Sequence, residues 1–353
     1  MDEVWWEQVT NASLFLKSVV ELILADKSTV LVLPPYVPWK GSLQEKIVEG
    51  ISRQDSRKTF DFMESPEGNI GEHLLNKYCE EDIRILYRPN KTHTWFLAQR
   101  EDIVLNDRYI WVKNIPDSQL SEWITFLSEY FLAIKKDVSP GVFILETSNG
   151  SVHIGKKGVS KIAYDKEITR FDTYTFCTLA VSGRKLPDFL KNYLAGLAAE
   201  VCGSDVELCA ECIRRGNYFL KEPYDTIKSI AGSAIRSDGT AFSIRLEEPV
   251  INRLIWKAQL KIVFPVIEDY RGSFVEKYHR EIARGLPVKS SNGEEYTEPE
   301  DVEIGTLIYM AAAGLFNIDG AEHDKLRKFK EARNILAHLK TLSIDEVEAV
   351  LQP

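Results

Sequence analysis

Near the C-terminus, the segment "EARNILAHLKTLSIDEV" (Glu331 to Val347) sets Arg333 and Asn334 five and four residues ahead of His338. Arginine brings a permanent planar cation, and histidine a side chain that titrates near neutrality. The trio is therefore either the working end of an RNA-cutting site or simply the end of a helix. On an α-helix Asn334 and His338 share a face, whereas Arg333 and His338 point about 140° apart. Arginine and histidine converge only where the helix ends or a second chain completes the site. Ser343 with Glu346 forms a capping box for a following helix, so the first helix must stop between His338 and Ser343. In the plainer reading His338 sits in a last helical turn, where the dipole favours a cation. Asn334 and His338 then tie the helix end to its neighbour.

The residues around the trio must position it. Leu326, Phe329, Ala332, Leu336 and Leu339 recur at three- and four-residue spacing, which predicts a core-facing helix. Lys325, Arg327, Lys328 and Lys330 lie on the same helix, one turn before the trio. They read as helix-face charges, and as the groups expected to meet phosphates if RNA binds. Of five cysteines (Cys79, Cys177, Cys202, Cys209 and Cys212), two form a C-x-x-C at Cys209 and Cys212. Their surroundings, "DVELCAECIRRGNYFL", are helical, so both thiols fall on one buried stripe, and no metal site is expected.

Earlier in the chain, helical and extended patterns alternate. Trp5 to Leu24 reads as an amphipathic helix, with Trp5 and Trp6 anchoring it against a sheet. Thr29 to Leu33 is a short apolar run, hence a strand buried on both faces. It ends in a proline loop, after which Ser42 and Glu45 make a capping box. "DIRILYRP", "DRYIWVKNIP", "PGVFILETS" and "TYTFCTLAVSG" read as further strands, and "THTWFLAQ" as a strand or the start of a helix. "DSQLSEWITFLSEYFLAIKK" reads as a helix. Helices between near-continuous apolar strands imply a mostly parallel sheet covered on both faces. From Leu186 the strand signal nearly vanishes. Helices follow, one of them opened by Pro223 and a long one running from about Glu248 to Arg284. "LPVKSSNGEEYTEPED" then reads as an exposed flexible loop, with three more helices to the end. The expected organisation is an α/β domain over 1–185, a helical lid-like region over 186–247 and a helical bundle over 248–353.

The element order of residues 1 to about 240 resembles P-loop NTPases of the AAA and STAND types. That resemblance implies a glycine-rich phosphate loop after the first strand, but the segment here is "PPYVPWKGSL". Pro34, Pro35 and Pro38 supply no N–H, and the glycine follows Lys40 instead of preceding it. Ser42 stands where a metal-binding hydroxyl would be sought. No acidic residue closes "YIWVKNIPD" at the strand tip, since Asp117 comes late, as an N-cap or first-turn residue. Only Glu146 lies at a strand end. The loop is a degenerate Walker A, with no nucleotide and no cofactor expected.

Residues 250 to 353 resemble HEPN domains, carried by "RNILAH" as R-N-x-x-x-H with a long helix pair before it. This resemblance implies a metal-independent ribonuclease site, with His338 as acid–base, Arg333 stabilising the phosphorane charge and Asn334 orienting. It also implies a dimer completed through the bundle, and a place in a prokaryotic defence or toxin-type system.

The bulk numbers weigh against a broad nucleic-acid footprint, since the 353 residues carry a net charge of −9. The acidic start, "MDEVWWEQ", and the lack of a membrane-length apolar run lead to an expected cytoplasmic location. The first expectation is accordingly a non-catalytic interaction or regulatory protein with a protein partner, a second copy of itself among the candidates. A HEPN-type endoribonuclease is the alternative, and a working ATPase the third.

Overall fold

The computed structural model describes residues 1–135, 138–243, 247–289 and 293–352. They form two compact units, Met1–Asp172 and Thr173–Pro353.

In the first unit a helical turn at Val4–Gln8 leads into α1 (Thr10–Leu24), whose Phe15, Val19 and Ile23 are buried together with Trp5 and Trp6. β1 (Ser28–Val32) is buried along its whole length, as an apolar strand with covered faces must be. α2 (Lys40–Ser52), β2 (Thr59–Glu64), α3 (Ile70–Tyr78), α4 (Glu81–Arg84) and α5 (His93–Gln99) follow. The unit continues with β3 (Arg108–Lys113), α6 (Asp117–Ala133), β4 (Val142–Thr147), β5 (Val159–Ala163) and α7 (Tyr164–Glu167). The five strands form one parallel sheet in the order β2-β3-β4-β1-β5, with Thr29 opposite Ile144 and Val30 opposite Lys161. Parallel neighbours need crossovers, and the intervening helices supply them.

Two expected strands are helical. "DIRILYRP" forms α4 and turns: Ile83 is buried, but Ile85 and Leu86 face solvent. A short apolar run without a neighbouring strand to pair with cannot satisfy its backbone in extended form. "TYTFCTLAVSG" lies in α8 (Arg170–Ser182), where Phe176, Cys177 and Val181 fall on one buried side. "THTWFLAQ" is α5, started by Thr92, whose side chain accepts from the Trp95 N–H. Conversely, the strands "TFDFME" and "VSKIA" escape a search for apolar runs. They are the two edges of the sheet, so they retain polar residues.

The second unit contains α9 (Asp188–Cys202), α10 (Val206–Arg215), α11 (Asn217–Lys221), α12 (Pro223–Ser233), the long α13 (Glu248–Lys277) and α14 (His279–Arg284). A small antiparallel hairpin, β6 (Val288–Lys289) and β7 (Glu295–Tyr296), precedes α15 (Ile304–Ala312), α16 (Gly320–Ala337) and α17 (Ile344–Leu351). Within the stretch read as a flexible loop Val288–Lys289 pair with Glu295–Tyr296, and Tyr296 and Pro299 are buried, while Ser290–Asn292 lie outside the described residues. Helices from the region expected to be lid-like pack within the same unit as the last helices. A Cβ at Gly196 on α9 would collide with Ile262 Cδ1 on α13, so the small residue permits the close approach. Cys209 and Cys212 are buried on α10, and the Cys212 thiol lies 3.7 Å from that of Cys202. Among the described residues no helix is long and apolar enough to cross a membrane.

α13 is the scaffold on which the last two helices are fastened. Its Trp256 indole donates to the Leu336 carbonyl at 2.8 Å, holding the end of α16. Its fully buried Gln259 donates to the Tyr193 hydroxyl and the Leu342 carbonyl, and accepts from the Leu342 N–H at 2.8 Å. Gln259→Leu leaves both backbone groups of Leu342 without their buried partner. Urea unfolding is expected to show a loss of about 1–3 kcal/mol, and a change within error would contradict the role assigned to this amide.

Candidate functional site

α16 begins at Asp319, whose side chain accepts from the Glu322 N–H at 2.8 Å. Leu326, Phe329, Ala332 and Leu336 are buried along one side, with Phe329 packed on Tyr270 of α13 at a ring separation of 4.4 Å. Lys330, Arg333, Asn334 and Ala337 repeat at i, i+3, i+4 and i+7, a second stripe that the helical period places away from the core. The helix stops at His338, its C-cap. Leu339 then takes a left-handed conformation (φ 60°), so that its N–H bonds to the Leu336 carbonyl and the Lys340 N–H to that of Ile335. The helix therefore ends at the histidine itself, as the capping box that follows requires. The capping box expected at Ser343 and Glu346 is formed and starts α17.

Arg333, Asn334 and His338 all line one open cavity of about 930 Å³. The helix stripe makes one wall. α15, with Thr306 and Tyr309 just after Glu303, makes another, and the β6–β7 hairpin supplies Lys289, Glu294 and Tyr296. Arg333 Nη2 lies 2.6 Å from Glu303 Oε1, with both side chains partly exposed. His338 is exposed, and among the described residues neither it nor Asn334 makes a side-chain hydrogen bond. The tie from these two residues to a neighbouring element, expected in the plainer reading, is absent among the described residues. Trp256 and Gln259 hold the helix end instead.

The four basic residues ahead of the trio separate. Lys330 lines the cavity. Lys325 lies over the rings of Tyr270 and Phe329, Arg327 pairs with Glu331 at 4.0 Å, and Lys328 is exposed but not at the cavity wall. Lys289, Glu303, Thr306, Tyr296 and Tyr309 are the site residues that spacing did not reveal. They come from three separate elements, and only the fold joins them. Three cations (Lys289, Lys330, Arg333) face two carboxylates (Glu294, Glu303), leaving a slight positive excess in an acidic chain.

At the C-terminal edge of the parallel sheet, the residues of the proline loop are engaged within the unit. Trp39, itself left-handed (φ 46°), is the N-cap of α2. Lys40 Nζ lies 2.5 Å from Glu146 Oε1, and the Trp111 indole donates to the other oxygen of Glu146 at 2.9 Å. Ser42 is inside α2, past its cap, so the expected box with Glu45 does not form. Its hydroxyl donates to Asp2 at 2.8 Å. Asp117 is the first residue of α6. A phosphate arriving here would have to displace Glu146 from Lys40, with Pro34, Pro35 and Pro38 offering no N–H in return.

Calorimetric titration with ATP and Mg²⁺ should accordingly give no measurable heat of binding, and micromolar affinity abolished by Lys40→Ala would contradict this. Leu339→Gly should raise stability by about 1 kcal/mol in thermal or urea unfolding, because glycine adopts φ 60° without the Cβ clash that leucine suffers. A loss of stability would mean that the leucine side chain contributes contacts outweighing that strain. No known protein-family model matches this chain, and no curated protein sequence matches it.

Proposed function

We propose that the C-terminal unit binds RNA at this cavity and cleaves it without a metal ion, in the manner of the HEPN domains it resembles. The observation that carries the reading is that Asn334 and His338, free of side-chain bonds among the described residues, open onto the same cavity as Arg333. Polar side chains at a well-packed helix end that do no structural work are available for chemistry. In this reading a ribose 2′-oxygen attacks the adjacent phosphorus and the 5′-oxygen leaves, giving a 2′,3′-cyclic phosphate and a 5′-hydroxyl. His338 exchanges the proton at one of these oxygens, and Arg333 stabilises the added negative charge on the phosphorane. Acid and base are both needed, which fits the dimer implied by the resemblance: a second copy brings a second His338. The N-terminal unit is read as a P-loop-like scaffold that does not hydrolyse nucleotide.

The second reading, a non-catalytic interaction or regulatory component of a cytoplasmic defence or toxin-type system, is favoured by one contact. Glu303 already neutralises Arg333, so the cavity would dock a protein partner without cutting anything. Incubating the purified protein with a mixed RNA pool in EDTA separates the two. Cleavage is expected, and Arg333→Ala and His338→Ala should each abolish it with the melting temperature nearly unchanged, since both side chains are partly or fully exposed. Intact RNA across a range of protein concentrations that includes the dimer would leave the interaction reading standing.

A further inference from the structure

Tyr309 is a large aromatic side chain at the wall of the candidate site. It lies on α15, six residues after Glu303, and remains 63% exposed while lining the cavity that holds Arg333, Asn334 and His338. Among the described residues its ring stacks on no other ring and its hydroxyl makes no hydrogen bond, in contrast to Tyr270, Tyr278 and Tyr296 of the same unit. Leaving such a ring in water forgoes the burial that the rest of α15 obtains through Ile304, Leu307 and Met310. Lys330 and Arg333 line the same cavity and are the groups that would hold phosphates there.

A flat apolar face beside a pair of cations is complementary to a nucleotide, which presents a π-face and a phosphate joined by a sugar. A polypeptide could also pack a ring or a guanidinium on Tyr309, but a nucleotide joins such a flat face to a phosphate within one ligand unit, which makes it the favoured occupant. We propose that Tyr309 is the specificity-determining platform on which a base adjoining the bound phosphate stacks. This inference rests on the RNA-binding reading of the cavity and adds to it the group that holds the base. Stacking is tolerant of base identity but requires a base with a free face, so the site selects a nucleotide unstacked from its neighbour.

The experiment uses the full chain carrying His338→Ala, so that RNA stays intact, and measures binding of a fluorescent RNA oligonucleotide and of the same oligonucleotide with abasic sugars. With Tyr309 in place the ordinary oligonucleotide should bind about tenfold more tightly than the abasic one. Tyr309→Ala should remove that difference, leaving abasic affinity unchanged, and Tyr309→Phe should restore it. If Tyr309→Ala binds both oligonucleotides as its parent does, while Arg333→Ala weakens both, the stacking role is overturned and the RNA reading survives. If no form binds RNA, both fall together.

Discussion

A single buried amide, that of Gln259, fixes the geometry on which the candidate site depends. It sits in the long helix α13 and closes two hydrogen bonds with the backbone of Leu342, four residues beyond His338. One helical turn earlier, the Trp256 indole takes the Leu336 carbonyl, one of those that a helix end leaves without an intrahelical partner. Between these two fastenings the chain must leave α16, reverse through Leu339 and enter α17. His338 is the residue at that exit. Both fastenings come from the same helix, so they hold the exit from α16 at which His338 stands.

The turn is made at a cost. Leu339 stands where glycine is the usual residue, in a left-handed conformation that strains an L side chain. The hydrogen bonds of the turn and the clamp from α13 together hold it there. An anchored, strained turn next to polar side chains that lack structural partners is the arrangement expected where position matters more than stability.

Electrostatics sets the second constraint. A chain with a net charge of −9 repels polyanions at long range, so attraction of a phosphate must be local. Lys289, Lys330 and Arg333 supply that locality, and Glu303 opposes it by pairing with Arg333. A ligand in this cavity competes with a carboxylate already in place, and ionic strength should act strongly on the outcome. At the end of the parallel sheet the same kind of competition is more one-sided. There Glu146 is held by both Lys40 and the Trp111 indole, and the proline-rich loop has few N–H groups to offer an anion.

What could be read from the amino-acid order alone was whatever depends on local periodicity. The buried strands "TVLVL" and "VFILE", the stripe Leu326–Phe329–Ala332–Leu336 and the capping box at Ser343 are written in spacings of two, three or four residues. The two edge strands were hidden because an edge keeps polar residues, and "DIRILYRP" misled because a short apolar run suits a strand and a helical turn equally. Arg333, Asn334 and His338 could be picked out by type, but the cavity they line could not, since its other walls come from elements distant in the sequence. The other walls of the cavity, with Glu303, Tyr309 and the hairpin bearing Lys289, belong to elements separated by loops whose closure leaves no periodic trace. Only the packing of those elements on α13 and α16 brings them to one place, because contacts between distant segments are decided by the shape of the whole core and not by the pattern within any one of them.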